Sequence, residues 1–528
     1  MYKVLDVNGY EELMNKHHIS SLLAKVLINR RIPFTNKIIE KKSYEYKNMD
    51  KVVGMILKAI NDNKKIVVYG DYDVDGICSV SILKRTFDLL NYNIGYYVPN
   101  RYEDGYGLNI DKVHQFNEKG YSLIICVDNG IKAFDAIKEA RNLQIDVIVL
   151  DHHQKEDELP EFNLYLHPEY SAFSNYNMCG ASICYHLSKA LLAKEDEKCL
   201  ALAGIATIGD VMPLVDQNKY IVSKALEYLN KKKYLAIDML NIDSKKYTET
   251  MLSMQIVPRI NSIGRICKGI IINNLVKYLT CDDEKEIIKF AKFIEETNNK
   301  RKIMSEEFFK KIDKGSYSDK IIIESDDELL EGLNGIIAGK LSEKYNLPCI
   351  VFSLDETKEN YKGSARSVEG LNIVELFSKN EYIKVYGGHE GAAGLTVAKE
   401  DFDKFKETII NECKNNEYKD KILDVIEVSI EELTLKQYED LLKIAPYGEE
   451  NEMPLFLLKD YDCSNLNKSK DGKHVLLKLT EAASLVGFCL VDQLKENCTH
   501  YNLIFNLELN NRYRNKITCN CKVLEGIR

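Results

Sequence analysis

The 528-residue sequence contains no tryptophan, no long apolar run and no excess of basic residues. A transmembrane helix needs roughly 20 consecutive apolar residues, so no segment is expected to cross a membrane. The beginning, Met1-Tyr2-Lys3-Val4, lacks the charged and apolar regions of a signal peptide. We therefore expect the 14 cysteines to be reduced thiols in a cytoplasmic protein.

The net charge of −9 excludes a protein that is coated with basic residues. A nucleic-acid partner would need a local basic channel, because phosphate contacts supply much of the binding energy. Three basic patches are candidates, although each alone is more typical of a solvated surface: Lys231-Lys232-Lys233, Lys468 to His474, and Arg512 to Lys516 beside Tyr513. Without tryptophan, base stacking would fall to tyrosine and phenylalanine.

The length predicts several domains, because it exceeds what one hydrophobic core supports. Apolar runs alternate with helical stretches over residues 49–215, which predicts a parallel α/β sheet covered on both faces. Residues 316–412 predict a second, smaller α/β domain, and the alternation over 440–528 predicts a small antiparallel barrel. The other predicted segments are an N-terminal extension, a helical connector and a helical linker, at 1–48, 216–315 and 413–439.

Polar side chains follow each predicted strand of the first sheet. Those strands are Ile66–Tyr69, Ile94–Val98, Leu123–Val127 and Val147–Leu150, and ligands of parallel sheets bind beyond such strand ends. The side chains expected there are Asp71, Asp73, Asp75, Arg101, Asp128, Asp151, His152 and His153, joined by Asp210 at the end of a helix rich in small residues. Such a set can hold two divalent ions, and its many oxygen ligands favour Mn²⁺ or Mg²⁺ over zinc.

Other interpretations of these patterns are less favourable. Asp71 to Gly76 resembles a calcium loop, but the twelfth position is Ile82 instead of glutamate, and a strand precedes it instead of a helix. Helix capping by the acids stays open at this point, since an aspartate after a strand often caps the next helix. Zinc binding by Cys498, Cys519 and Cys521 is disfavoured because no Cys-x-x-Cys spacing is present.

Four segments resemble the motifs of the DHH phosphoesterase superfamily. They are Asp73-Val74-Asp75-Gly76, Asp128-Asn129-Gly130, Asp151-His152-His153 and Gly209-Asp210. Further segments resemble the RecJ family within it: 99–107, 178–181, 257–265, 362–367, 387–394 and 445–456. This resemblance covers nearly the whole chain. It implies a DHH domain, a DHHA1 domain and an OB-fold, and an exonuclease that degrades single-stranded DNA from the 5′ end to mononucleotides.

The resemblance also implies a role for individual residues. Asp73, Asp75, Asp128, His152 and Asp210 would bind two ions, with Asp128 between them. Asp71 and Asp151 would support these ligands, and His153 would lie beside the scissile phosphate. The residues implied for holding DNA phosphates are Arg101, Arg259, Arg265, Ser364, Arg366 and His389. A guanidinium suits bidentate phosphate contact, and a surface salt bridge is the alternative for each arginine.

Two positions depart from the family pattern. Tyr69 stands where some superfamily members have a ligating histidine, and Leu330-Glu331 stands where RecJ proteins tend to have a histidine-containing turn.

The resemblance implies a monomer that acts in DNA repair and recombination, with a helicase and a single-strand-binding protein as partners. A DHH phosphodiesterase for short oligonucleotides or cyclic dinucleotides, and an inactive replication scaffold, are the alternatives. The OB-like segment argues against the first, and the complete acid and histidine set argues against the second.

Overall fold

The structure is a computed structural model that describes residues 1–34, 45–171, 177–242, 246–418, 422–510 and 515–527. The chain folds into two compact units. One comprises Met1–Ile38 and Lys421–Arg528, and the other comprises Ile39–Asp420. None of the helices in the described ranges combines the length and apolar character needed to span a bilayer.

Strands and helices are numbered in chain order within the described residues. The strands are β1 (Tyr2–Val4), β2 (Ile66–Tyr69), β3 (Gly95–Tyr97), β4 (Leu123–Val127), β5 (Asp146–Leu150), β6 (Leu164–Leu166), β7 (Ile322–Ser325), β8 (Cys349–Leu354), β9 (Asn360–Arg366), β10 (Ile383–His389), β11 (Ala392–Ala398), β12 (Leu423–Glu427), β13 (Leu455–Asp462), β14 (Asn467–Lys468), β15 (Val475–Lys478), β16 (Ala483–Gly487), β17 (His500–Leu509) and β18 (Ile517–Gly526). The α-helices are α1 (Tyr10–His17), α2 (Ser21–Arg30), α3 (Met49–Asn61), α4 (Val74–Leu89), α5 (Ile110–Glu118), α6 (Phe134–Asn142), α7 (Gly180–Leu192), α8 (Glu197–Gly209), α9 (Asp216–Lys231), α10 (Leu235–Asp238), α11 (Glu249–Met251), α12 (Val257–Ile266), α13 (Asn273–Thr280), α14 (Glu284–Ile312), α15 (Glu331–Tyr345), α16 (Ile373–Ser378), α17 (Phe402–Cys413) and α18 (Leu435–Leu441).

The first sheet of the larger unit is parallel, with strand order β3-β2-β4-β5-β6. Its first four strands lie within one residue of the predicted bounds, which confirms the α/β prediction. Every residue of β2 and β4 is buried, as expected when helices cover both faces. Strand β6 was not predicted, because three residues are too few to give a periodic pattern.

Helices α4, α7 and α8 pack against one another beside this sheet. They contribute about a third of the residues of the largest apolar core, which also includes the inward side chains of β2, β4 and β5. This packing places the start of α7 and the end of α8 near the carboxyl ends of the strands. The sheet edge therefore receives side chains from helices as well as from strand ends.

The second sheet has the order β10-β11-β9-β8-β7, in which only β7 and β8 are parallel. Helix α15 packs against β8 and β9 and begins at Glu331, earlier than the predicted start at Gly335. The predicted smaller α/β domain is present, and Gly363, Gly387, Gly388 and Gly394 lie on β9, β10 and β11.

The smaller unit contains one eight-stranded sheet, ordered β1-β12-β13-β17-β18-β16-β15-β14. The prediction of a helical linker at 413–439 is wrong in part, because β12 pairs in parallel with both β1 and β13. The buried apolar run of β12 is only Val425-Ile426, which is too short to predict a strand from sequence. Its partner β1 lies at the other end of the chain. Pairs β12–β13 and β16–β18 are parallel, so the sheet is mixed instead of purely antiparallel. The patch Arg512-Tyr513-Arg514 lies outside the described residues.

Candidate metal centre

The turn after β2 delivers three aspartates to the sheet edge. Asp73 caps α4, and its Oδ1 accepts hydrogen bonds from the backbone N–H groups of Asp75 (2.9 Å) and Gly76 (3.1 Å). A Cβ atom on Gly76 would lie 2.4 Å from the carbonyl oxygen of Asp71, so only glycine permits this tight turn. The capping interpretation is therefore correct for Asp73, but it does not account for Asp71 or Asp75.

The beginning of α7 holds Asp75. Its two carboxylate oxygens accept hydrogen bonds from the backbone N–H groups of Gly180 (2.7 Å) and Ala181 (2.8 Å). A helix N-terminus carries partial positive charge, which stabilises a carboxylate there. Asp75 is thus fixed in position beside the other acids.

Asp128 follows β4 and has a left-handed backbone conformation, with φ of 60°. Aspartate tolerates this conformation better than most residues. Helix α7 leaves little room around it, because a Cβ atom on Gly180 would lie 2.8 Å from the Cβ atom of Asp128. His152 Nε2 lies 3.2 Å from Asp128 Oδ1.

Asp151 organises the turn after β5. Its Oδ1 accepts hydrogen bonds from the backbone N–H groups of His152 (2.8 Å) and His153 (3.2 Å), and lies 2.8 Å from His153 Nδ1. Its Oδ2 accepts one from the backbone of Ile131 at 2.9 Å. Burial opposes ionisation of Asp151, but the hydrogen bond from His153 and the positive charge of that ring hold its pKa below the usual range.

The two histidines are in opposite charge states. Burial and the positive charge of His153 lower the pKa of His152 to about 4, so this ring is a neutral donor of an electron pair at pH 7. Burial opposes protonation of His153 as well, but its hydrogen bond to Asp151 raises its pKa to about 9. His153 is therefore a cation at neutral pH.

Asp210 completes the cluster from the C-terminal end of α8, and its Oδ2 lies 3.5 Å from His152 Nε2. Three overlapping groups have ligand atoms that lie within 4.8 Å of one another: Asp71, Asp73 and Asp128; Asp75, His152 and Asp210; and Asp128, His152 and His153. Asp128 and His152 each belong to two of these groups.

The ionised acids of the cluster repel one another, whereas divalent cations would neutralise them. Burial and the charges of Asp75 and Asp73 raise the pKa values of both Asp128 and Asp210 well above the usual range. Burial and the charge of Asp73 raise the pKa of Asp71 to about 8. Asp71 Oδ1 and Asp210 Oδ2 are also buried without a hydrogen-bond partner in the described part of the chain. Buried, mutually repelling carboxylates with unused oxygen atoms are suited to hard cations.

Tyr69 takes no part in this cluster. Its ring is buried against Tyr97 on the other side of the sheet, and its hydroxyl donates a hydrogen bond to the carbonyl oxygen of Gly107 at 2.9 Å. Tyr69, which departs from the family pattern, therefore contributes no side chain to any of the three ligand groups.

Arg101 lies beside the cluster and is only weakly paired. Its guanidinium carbon is 4.0 Å from the centre of the Tyr72 ring, and its nearest carboxylate, Glu331, is 3.8 Å away. Its buried Nε has no hydrogen-bond partner among the described residues. The Leu330-Glu331 departure thus places an acid at the start of α15, where it partly balances Arg101.

Three other arginines donate, among the described residues, only to neutral acceptors. Arg265 donates to the carbonyl oxygen of Gly332 (3.0 Å), Arg366 to that of Ala365 (2.9 Å), and Arg301 to the side-chain oxygen of Asn298 (3.0 Å). Burial, with the positive charges of Arg101 and Arg301, lowers the pKa of Arg265 to about 10. The sequence did not single out Arg301, since it lies in a long charged helix where arginines are usually solvated.

Arg259 is different, and its predicted phosphate role is not supported. Its side chain is buried, and its Nε donates a hydrogen bond to Glu295 Oε2 at 2.6 Å. A second hydrogen bond goes to the carbonyl oxygen of Gln255 at 3.0 Å. The Arg259 guanidinium links α12 to α14, and its hydrogen bonds stabilise the packing of these helices.

Strand register relates the predicted residues of the second sheet. Arg366 pairs with Ala392, which pairs with His389, so these residues form one row across β9, β11 and β10. Ser364 lies two residues before Arg366 and therefore faces the same side of the sheet. His389 is exposed, and Ser364 and Arg366 are half-buried beside α15, where a Cβ atom on Gly335 would lie 3.2 Å from Arg366 Nη2.

Two residues near the cluster were missed although their segments resemble family motifs. Asn261 Oδ1 accepts a hydrogen bond from the backbone N–H of Val74 at 2.7 Å and so supports the start of α4. The hydroxyl of Tyr106 lies 3.2 Å from His153 Nε2, and glycines at positive φ flank this tyrosine. That flanking glycine pattern was the available signal.

Comparison with known families matches three segments of the chain. Residues 65–209 match the DHH family N-terminal domain, 318–415 match the DHHA1 domain, and 426–525 match the RecJ OB domain. Together these segments cover more than half of the sequence in the predicted order.

Individual proteins and structures agree with these matches. The single-stranded-DNA-specific exonuclease RecJ of Bacillus subtilis (strain 168) is 30% identical over 92% of this chain, which spans 65% of that relative's length. The crystal structure of RecJ in complex with Mn²⁺ from Thermus thermophilus has a TM-score of 0.85 and 22% identity, covering 99% of this chain and 80% of that one. A crystal structure of exonuclease RecJ bound to manganese has a TM-score of 0.62 and 25% identity, covering 73% of this chain and 97% of that one. On these grounds, the chain belongs to the RecJ family.

Proposed function

We propose that this protein is a metal-dependent exonuclease that hydrolyses single-stranded DNA from its 5′ end to mononucleotides. The observation that carries the proposal is the joining of three acid and histidine groups to a set of weakly paired arginines within one compact unit. The acid and histidine groups can hold divalent ions, and the arginines can hold a polyanion. The name of the Bacillus subtilis relative supplies the substrate class.

The proposed cofactor is Mn²⁺ or Mg²⁺, with two ions per site. Asp73, Asp75, Asp128, His152 and Asp210 would hold them, supported by Asp71 and Asp151. Divalent ions in such a site lower the pKa of water and neutralise charge on a phosphoryl group. The manganese in the RecJ structure that is 25% identical to this chain supports the choice of metal.

The chain's own residues bind and orient the substrate. His153 is cationic and half-exposed, so it can donate a hydrogen bond to a phosphate oxygen while Asp151 fixes its ring. Among the described residues, Arg101, Arg265 and Arg366 form no hydrogen bond to a carboxylate, and the Glu331 carboxylate lies 3.8 Å from Arg101. We propose that these three, together with Ser364 and His389, hold consecutive phosphates of the strand.

The alternatives receive less support. A phosphodiesterase for short oligonucleotides or cyclic dinucleotides does not require a segment that matches the RecJ OB domain. An inactive scaffold does not require a complete set of buried acids around His152. The proposal further includes a role in DNA repair and recombination, a cytoplasmic monomer, and cooperation with a helicase and a single-strand-binding protein.

The test is digestion of 5′-labelled and 3′-labelled single strands and of a blunt duplex, with Mn²⁺. We expect immediate release of label as mononucleotide from the 5′-labelled strand only, and slow attack on the duplex. Asp128→Ala should abolish the release, whereas Asp135→Ala, an exposed aspartate on α6, should not. Release first from 3′ ends would overturn the polarity, and full activity of Asp128→Ala would overturn the site.

A further inference from the structure

His167 is a buried histidine next to the candidate centre that has no part in ligand binding. It follows β6 directly and is only 3% exposed. Because Leu166 pairs with Leu150 in the parallel sheet, His167 comes to the same sheet edge as Asp151. The backbone N–H of Asp151 donates to the carbonyl oxygen of Leu166 at 3.2 Å, which joins the two turns.

The hydrogen bonds of His167 fix its tautomer. The backbone N–H of Glu169 donates to His167 Nδ1 at 3.3 Å, so this nitrogen carries no proton. His167 Nε2 lies 3.0 Å from the carbonyl oxygen of His153, which can only accept. The ring therefore donates from Nε2, and it connects the short turn Pro168–Tyr170 to the backbone of His153.

This bond completes the support of the turn that carries both functional histidines. Asp151 binds the backbone N–H groups of His152 and His153, and His167 binds the carbonyl group that follows them. Neither histidine lies in a helix or strand, so the regular hydrogen bonding of secondary structure does not hold them. Their rings need a fixed backbone, because His152 Nε2 must remain within reach of Asp75, Asp128 and Asp210.

We propose that His167 is a positioning residue whose Nε2–H bond to the His153 carbonyl oxygen fixes both imidazoles for metal and phosphate binding. This inference rests on the proposed function. Groups that orient metal ligands typically change metal affinity or activity by about 10–100-fold when they are removed.

Two amide substitutions separate this role from a merely structural one. In His167→Gln, the side-chain amide nitrogen reaches about as far as Nε2 and can still donate to His153. In His167→Asn, the amide oxygen takes the place of Nδ1 and can still accept from Glu169, but no donor reaches His153. We expect His167→Asn to lower kcat on single-stranded DNA at least tenfold, with KM changed less than threefold. We expect His167→Gln to keep kcat within threefold of the unsubstituted protein.

Mn²⁺ binding by calorimetry and thermal unfolding, each without DNA, provide readouts that do not depend on turnover. We expect His167→Asn to bind Mn²⁺ about tenfold more weakly than His167→Gln, while both unfold at similar temperatures in EDTA. Equal kcat and equal Mn²⁺ affinity in the two variants would overturn the inference, as would losses that follow unfolding temperature alone. An unsubstituted protein that binds Mn²⁺ but cuts no DNA would instead contradict the proposed function, and the Mn²⁺ comparison would still decide the role of His167.

Discussion

At the scale of single residues, the candidate centre places like charges together in a buried position. Asp71, Asp75 and Asp128 are all buried, and Asp73 and Asp210 lie beside them. Carboxylates in such positions repel one another, so the cluster destabilises the folded chain unless protons or cations neutralise it. Function is thereby linked to stability, and the link can be measured without substrate.

The first prediction concerns pH and the metal-free protein. The pKa of Asp71 is raised to about 8, so its contribution favours folding at low pH and is lost as the pH rises towards 8. The pKa of His153 is raised to about 9, so its stabilising contribution is also lost as the pH rises above 6.5. His152, whose pKa is lowered to about 4, is neutral in the folded state throughout this window, and its opposing contribution ends once the unfolded ring has lost its proton just above pH 6.5. In EDTA, the unfolding temperature should therefore fall between pH 6.5 and 8.

Mn²⁺ provides the control for this measurement. Saturating metal should raise the unfolding temperature most at pH 8, since it replaces the missing protons. Asp71→Asn should flatten the metal-free profile in the same window. A metal-free unfolding temperature that rises over this window would contradict the predicted charge state of the cluster.

The second prediction compares two arginines that the sequence treats alike. Arg366→Ala should raise KM for single-stranded DNA about tenfold while Mn²⁺ affinity is unchanged, because within the described ranges its guanidinium donates only to a carbonyl group of its own strand. Arg259→Ala should instead lower stability by roughly 3–5 kcal/mol, because it leaves Glu295 without its buried partner. Steady-state kinetics and denaturant unfolding of both variants check the contrast. Equal loss of DNA use and metal binding in Arg366→Ala would count against its phosphate role.

At the scale of secondary-structure elements, α7 is the helix that fixes the acids. Its first two N–H groups bind Asp75, and its first residue lies directly against Asp128. Two candidate ligands, Asp75 on α4 and Asp128 after β4, are therefore positioned by one helix end. Small displacements of α7 are expected to affect metal binding more than stability.

The third prediction tests this dependence. Gly180→Ala puts a Cβ atom 2.8 Å from that of Asp128, so either the helix or the ligand must move. Mn²⁺ affinity should fall by about 10–100-fold, as measured by calorimetry. Gly339→Ala is the matched control, because that helical glycine on α15 has no heavy atom within 4 Å of the added carbon. The control should keep its affinity and gain up to about 1 kcal/mol of stability.

The sequence predicted these elements better than it predicted their contacts. Strands β2 and β4 were predicted with their observed bounds, since continuous apolar runs between turn residues are typical of buried parallel strands. The aspartates and histidines that follow the strands were predicted to meet because parallel strands end at one edge. The prediction for Arg259 did not anticipate its pairing with Glu295, because only the three-dimensional structure reveals that carboxylate beside it. His167 was missed, because β6 is too short to be recognised and no motif marked it.

At the scale of the whole molecule, the chain contains a unit with the acid cluster and a unit with the mixed eight-stranded sheet. The first 34 residues belong to the second unit, where β1 pairs with β12 and the buried face of α2 joins the core of that sheet. A C-terminal truncation would thus break a sheet that also uses the N-terminus. Point substitutions are the better way to test what the second unit contributes.

The last prediction concerns Phe488, an exposed aromatic residue of that unit. Its side chain is 64% exposed, and its ring centre lies 5.2 Å from that of His474 in the basic hairpin that contains Lys468, Lys470 and Lys473. An aromatic ring beside lysines suits stacking on the bases of a single strand, and each stacked base is worth about 1–3 kcal/mol. Phe488→Ala should therefore weaken binding of long single strands about tenfold, whereas hydrolysis of trinucleotides should not change. Leu476→Ala, at a partly exposed position on β15 of the same sheet, is the control. Fluorescence anisotropy with strands of increasing length checks the result, and an equal loss for short and long substrates would mean that Phe488 does not act as a second contact on the strand.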